Sequence, residues 1–147
     1  MRVAVIGPSD ASERELALAS DVGRLLAEAG CIVYTGGLGG VMEAASRGAR
    51  DAGGLTVGIL PGPDASAANA FVAVPVATGM GEARNVVLIR SAEAVIAVGK
   101  GYGTLSEIGF ALRLGKRLVL LESWEAIGAS EALVAGSAEA AVKLALG

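Results

Sequence analysis

Two glycine-rich turns hold most of the chemistry open to this chain. The first is Gly36-Gly37-Leu38-Gly39-Gly40, with Met42 and Glu43 opening the helical pattern after it. The second is Gly99-Lys100-Gly101-Tyr102-Gly103-Thr104, with Glu107 three residues further on. Each follows a short apolar run, Cys31-Ile32-Val33-Tyr34 in one case and Ala94-Val95-Ile96-Ala97-Val98 in the other. A strand, a glycine turn and a helix N-terminus together make an anion site. Glycine lets the backbone approach closely, and free amides at the helix start face the ligand with the positive dipole end behind them. Two such turns in one small domain point to a ligand carrying phosphate, a nucleotide above all. Gly101, Gly103 and Thr104 are expected to cradle the phosphate through amides and the threonine hydroxyl. Lys100 either adds charge to it or faces water, and Tyr102 sits within the same turn. Close ligand approach explains why Gly36, Gly37, Gly39 and Gly40 crowd into five positions, since each costs backbone entropy on folding.

What is missing narrows the chemistry further. The chain contains no histidine, which removes a histidine base, a Ser-His-Asp triad and a histidine metal set. Its one cysteine, Cys31, forms no intrachain disulfide and no zinc spacing, and reads as a small buried hydrophobe. No metal site is expected. Reactivity must come from Asp, Glu, Arg, Lys, Ser, Thr or Tyr. After the first strand stands Gly7-Pro8-Ser9 in place of a G-x-G-x-x-G fingerprint, and no Gly-Lys-Ser/Thr marks a P-loop. Ser9 and Asp10 follow the first strand where a base or ribose contact is expected, and Gly7 opens that binding turn. Asp10 or Ser12 as a helix cap is the structural alternative there.

These turns need a frame, and the segment pattern supplies one. The 147 residues suffice for one domain with a single core, taken as residues 1–147. Hydrophobic residues make up 53% and mean hydropathy is +0.60, yet no run approaches the ~18 apolar residues of a membrane span. A soluble cytoplasmic protein is expected. Net charge of −3 with no basic run argues against nucleic acid as the main partner. Strands are expected at 2–6, 31–35, 55–60, 71–76, 94–98 and 118–121, with a short edge strand allowed at 131–135. Helices are expected from Ser12 to about Ala29, then at 41–52, 80–91, 104–114 and 137–146. Ser12 with Glu15 forms a capping box for the first. Apolar strands alternating with amphipathic helices predict a mostly parallel sheet of about seven strands, covered by helices on both faces. That is a single Rossmann-like α/β domain of three layers. In such sheets ligands bind at the carboxyl ends of the strands, where all three turns fall.

The motifs resemble those of the Lonely Guy family, the cytokinin-riboside-monophosphate phosphoribohydrolases, long labelled "lysine decarboxylase-like". That family carries G-G-G-x-x-G-L-M-G after the second strand, an Arg-Lys pair on a helix, and P-G-G-x-G-T-x-x-E after a later strand. Here the three read Thr35-Gly36-Gly37-Leu38-Gly39-Gly40-Val41-Met42-Glu43, Met80-Gly81-Glu82-Ala83-Arg84-Asn85 and Gly99-Lys100-Gly101-Tyr102-Gly103-Thr104-Leu105-Ser106-Glu107. Asn85 stands where the family has lysine, and Gly99-Lys100-Gly101 where it has Pro-Gly-Gly. Both departures are similar to the short branch that includes the molybdenum-cofactor carrier proteins.

The resemblance implies two readings. In the first, the protein cleaves the N-glycosidic bond of a purine nucleoside 5′-monophosphate. Arg84 orients the ribose phosphate by bidentate contact, and Glu107 assists water or the positive charge developing at C1′. Glu43 faces the ribose, and Met42 beside it belongs to the binding residues. In the second, the same cradle belongs to a non-catalytic carrier or sensor for a nucleotide or molybdopterin-type ligand. Neither reading requires a bound cofactor. By spacing alone Thr104-Leu105-Ser106-Glu107 is also a T-x-x-E capping box, and Glu43 suits a helix start through the dipole. A lysine decarboxylase is rejected, because Lys100, Lys116 and Lys143 include no lysine set in a prepared pocket. A homodimer or higher homo-oligomer is the expectation the family gives.

Overall fold

The computed structural model describes residues 1–125 and 131–147. Strands β1 (Arg2–Ile6), β2 (Ile32–Thr35), β3 (Thr56–Leu60), β4 (Val74–Ala77), β5 (Ala94–Val98), β6 (Arg117–Leu121) and β7 (Leu133–Ala135) form one sheet in the order β4-β3-β2-β1-β5-β6-β7. All six pairings are parallel. The helices are α1 (Glu13–Glu28), α2 (Val41–Asp51), α3 (Arg84–Ser91), α4 (Tyr102–Arg113) and α5 (Ala138–Leu146). The Rossmann-like expectation of seven strands between helical layers is met.

Two cores follow from the pleat. Along β1, Val3 and Val5 face one side while Ala4 and Ile6 face the other, all essentially inaccessible to water. Val3 and Val5 join Val22 and Leu26 of α1, Ala45 and Ala49 of α2, and Ala141 and Ala145 of α5. Ala4 and Ile6 join Leu88 and Ile89 of α3 and Ile108 and Ala111 of α4. Alternation on strands that read as apolar throughout is what a sheet buried on both faces requires. Cys31 lies in the first core, and burial pushes its thiol up. Helices α1 and α2 touch backbone to backbone. A Cβ at Gly23 would come within 2.0 Å of the Ala45 carbonyl oxygen, and one at Gly48 within 2.0 Å of that of Ser20. Among the described residues no helix is long and apolar enough to cross a membrane.

Three departures from the expected boundaries bear on the architecture. The fourth strand starts at Val74 rather than residue 71. The Asn69 carboxamide oxygen accepts from the Phe71 amide, and the Thr56 hydroxyl bridges the Phe71 carbonyl and the Ala73 amide, so those backbone groups leave the ladder. A 3-10 turn at Gly81–Ala83 precedes α3, so Arg84 is the first residue of the helix rather than its middle. Finally, α4 begins at Tyr102, two residues before the position expected.

The strand order reverses between β1 and β5. From β1 the chain winds outward through β2 and β3, and from β5 it winds the opposite way through β6 and β7. The crevice at the carboxyl ends of β1 and β5 is therefore the switch point at which such sheets bind ligands.

Candidate functional site

A cleft of about 390 Å³ lies at that switch point. Its walls come from Gly7, Pro8 and Ser9 after β1, Leu38 and Met42 after β2, and Pro61 after β3. The remainder comes from Glu82, Arg84 and Asn85 before and within α3, and from Gly101 to Thr104 with Glu107 on α4. The volume is in the range of small-molecule sites.

The start of α4 is open toward the cleft. Gly101 is extended and offers no side-chain cap, so the first-turn amides have no side-chain acceptor. Behind them Thr104 is 2% exposed, and its hydroxyl has no hydrogen-bond partner among the described residues. The Arg84 Nε is buried and equally unpartnered. Buried polar groups are otherwise hydrogen-bonded almost without exception, so two orphaned donors on one cleft describe a site shaped for an acceptor.

Arg84 and Glu107 form its charged floor. Arg84 Nη1 lies 3.6 Å from Glu107 Oε1, and both side chains are about nine-tenths buried. The hydrogen bond of that nitrogen goes elsewhere, to Asn85 Oδ1 at 2.5 Å. Asn85 Nδ2 donates in turn to Ser106 Oγ at 3.2 Å, and Ser106 donates to the Gly103 carbonyl at 2.7 Å. A polar relay thus ties the guanidinium on α3 to the first turn of α4. Burial pushes the Glu107 carboxyl up to about 7, against the opposing pull of Arg84. Burial also pulls the Arg84 guanidinium down from its ordinary value, with Glu107 opposing. A carboxyl poised near neutrality can give or take a proton there.

The T-x-x-E capping box at Thr104 is corrected by this geometry. Helix α4 starts at Tyr102, and the Leu105 amide closes the first turn on the Gly101 carbonyl at 2.9 Å. Glu107 is therefore past the first turn, facing Arg84, and caps nothing. The other capping box holds: Ser12 Oγ accepts from the Glu15 amide, and Glu15 Oε2 accepts from the Ser12 amide.

Of the residues singled out in the sequence, Gly7, Ser9, Met42, Arg84, Gly101, Tyr102, Gly103, Thr104 and Glu107 share the cleft. The four glycines of the first turn do not line it, although Leu38 between them does. A Cβ at Gly36 would lie 2.9 Å from both terminal nitrogens of Arg84, so glycine there makes room for the protein's own guanidinium. Gly40, at φ +66°, would meet the Pro8 and Ser9 carbonyls, and its close approach is to the β1–α1 loop. Gly37 would meet Leu60, while the space beside Gly39 is open. Gly40 and Glu43 border a separate hollow with Ser9 and Arg47. Lys100 lies 6.0 Å over the Trp124 ring. Pro8, Leu38, Pro61, Glu82 and Asn85 are cleft residues that sequence reasoning left out. Pro61 was findable, since it follows β3 at the sheet's carboxyl edge. Among the described residues no cluster of three or more Cys, Asp or Glu is arranged to hold a metal.

Comparison with known proteins finds relatives in sequence and in fold. The model of the SLOG cluster4 family matches residues 1–144. A protein of Archaeoglobus fulgidus is 48% identical over 122 residues, covering 83% of this chain and 80% of that one. The molybdenum cofactor binding protein of the phototrophic bacterium Rippkaea orientalis superposes with a TM-score of 0.92 at 37% identity, over 97% of this chain and 93% of that one. The molybdenum cofactor carrier protein of Chlamydomonas reinhardtii does so with a TM-score of 0.88 at 36% identity, again over 97% and 93%. The resemblance to a divergent branch near the molybdenum-cofactor carriers is thereby established.

Proposed function

Because the chain belongs to the SLOG cluster4 family, we propose that its cleft binds a phosphate-bearing heterocyclic small molecule of the molybdopterin or purine nucleotide class, as a carrier or sensor. The observation that carries this reading is the pair of orphaned buried donors, Arg84 Nε and the Thr104 hydroxyl, beside an uncapped helix start. A phosphate accepts from all of them, and the dipole of α4 favours its charge. Arg84 supplies the counter-charge. Glu107, protonated near neutrality, offers a donor to the ligand rather than a second anion. The donor set fits the phosphate end of molybdopterin as well as that of a nucleotide. Likeness to proteins named for binding or carrying the molybdenum cofactor supports the first of these.

A second reading is favoured by Glu107 itself. A buried carboxyl poised near 7 beside an arginine is the equipment for general acid–base work at a glycosidic bond. In a nucleoside 5′-monophosphate phosphoribohydrolase, the ribose phosphate occupies the cradle. Glu107 then takes a proton from the attacking water as the water oxygen bonds to C1′, the bond from C1′ to the base nitrogen breaks, and the base leaves with that electron pair and takes up the proton that Glu107 accepted.

Incubation with nucleoside 5′-monophosphates, analysed by chromatography for free base, separates the two. Base release that Glu107→Gln abolishes while binding persists makes the protein a hydrolase. Thermal stabilisation by a nucleotide or by the molybdenum cofactor, without base release, makes it a carrier or sensor. Neither stabilisation nor release overturns both.

A further inference from the structure

Tyr102 is the largest exposed apolar surface bordering the cleft. It is 86% exposed, although it is the first residue of α4 and two positions from the buried Thr104. An exposed aromatic ring at a cleft rim ordinarily wanders among rotamers, but this one is backed. Its ring stacks on that of Trp124, with centroids 6.4 Å apart and planes 26° from parallel. Trp124 is fixed in turn, donating from Nε1 to the Gly101 carbonyl at 3.2 Å, the same oxygen that closes the first turn of α4. Lys100 lies over the indole. The ring is thus mounted on the element that carries the phosphate cradle. It also borders a second hollow of about 470 Å³, lined further by Ser106 and Phe110. Tyr102 is therefore part of the wall that the cleft shares with this neighbouring groove, together with Glu82, Asn85 and Gly103.

We infer that Tyr102 is the stacking wall for the planar heterocycle of the ligand whose phosphate occupies the cradle at Gly101–Thr104. This rests on the phosphate-binding reading above. Every purine or pterin ring presents a π-face, so stacking on a preorganised aromatic adds affinity without selecting among them. The inference separates two tasks: α4 amides and Arg84 hold charge, and Tyr102 holds the ring.

The test uses the whole protein and its single tryptophan as reporter, since Trp124 touches Tyr102. Adenosine 5′-monophosphate and the molybdenum cofactor are titrated against ribose 5-phosphate, which has the phosphate and no ring. The intact protein and Tyr102→Phe bind a ring-bearing probe roughly 10-fold or more tightly than ribose 5-phosphate, with a change in Trp124 emission. Tyr102→Ala closes that gap and leaves ribose 5-phosphate affinity within about threefold, as phosphate contacts at backbone amides do not need the ring. A gap that persists in Tyr102→Ala overturns the inference while keeping the phosphate site. No binding of any probe by the intact protein overturns the phosphate reading, and the inference falls with it.

Discussion

Arg84 and Glu107 face each other at 3.6 Å, yet the hydrogen bond of the nearer guanidinium nitrogen goes to Asn85. The pair is consequently an unfinished one. Glu107 meets Arg84 at 3.6 Å, outside hydrogen-bond distance, and among the described residues Arg84 Nε has no partner. A buried pair of this kind costs desolvation that its mutual attraction does not fully return. On the proposed reading a phosphate-bearing ligand completes the pair, and the following outcomes are expected.

The pH dependence of stability reports on Glu107. Its carboxyl is raised from the ordinary 4.5 to about 7 in the folded chain. Between those values the folded state holds a proton that the unfolded state has released. The stability this contributes is complete below about 4.5 and is lost as pH rises through 7. Glu107→Gln removes the loss. Thermal melts from pH 5 to 8 therefore show the parent declining relative to the variant, by something on the order of 1–3 kcal/mol. Parallel pH profiles would refute the assignment.

Arg84→Lys keeps the charge but not the fork. The relay to Asn85 and the free Nε both require a guanidinium. Affinity for a phosphate-bearing probe falls about 10-fold or more, measured by calorimetry, with less effect on folding than Arg84→Ala. The alanine variant leaves Glu107 buried without its counter-charge.

Thr104→Val tests whether the hydroxyl is kept for a ligand. Removing a buried group that has no partner is neutral or stabilising by about 1 kcal/mol, while probe affinity drops about 10-fold. Thr104→Ser preserves affinity. A marked loss of thermal stability in the valine variant would place the hydroxyl in the fold instead.

Gly48→Val separates the scaffold from the site. The added side chain meets the Ser20 carbonyl, so α1 and α2 must part. A loss of about 2 kcal/mol or more, and on the order of 5 °C in Tm, is expected from calorimetric melts.

The sheet, its helices and the cleft's position were legible because apolar strands and glycine turns are local signals. What escaped depended on contacts between distant segments. Thr104-x-x-Glu107 has capping-box spacing, but where α4 begins is decided by the extended Gly101 and its carbonyl, not by the spacing. Asn85 read only as a departure from a motif. Its role emerges when α3 is set against α4 and the carboxamide bridges Arg84 to Ser106. The glycines at 36 and 40 were legible as close approaches, but not what approaches. The partners are Arg84 and the Pro8–Ser9 backbone, neither adjacent in sequence.

The pairing of Val3 with Ala94 has a kinetic consequence. The centre of the sheet joins the chain's first strand to one that emerges from the ribosome much later. Until then β1 has a bare edge on one side, and the cleft lacks the wall that Gly101 and α4 supply. Closing that long loop sets a high contact order, which slows folding and prolongs exposure of an apolar edge. A chain stopped before Ala94 would keep the β1–β2, β2–β3 and β3–β4 pairings yet leave β1 unpaired on the side that becomes the middle of the sheet. Such a fragment should aggregate rather than form a smaller working domain.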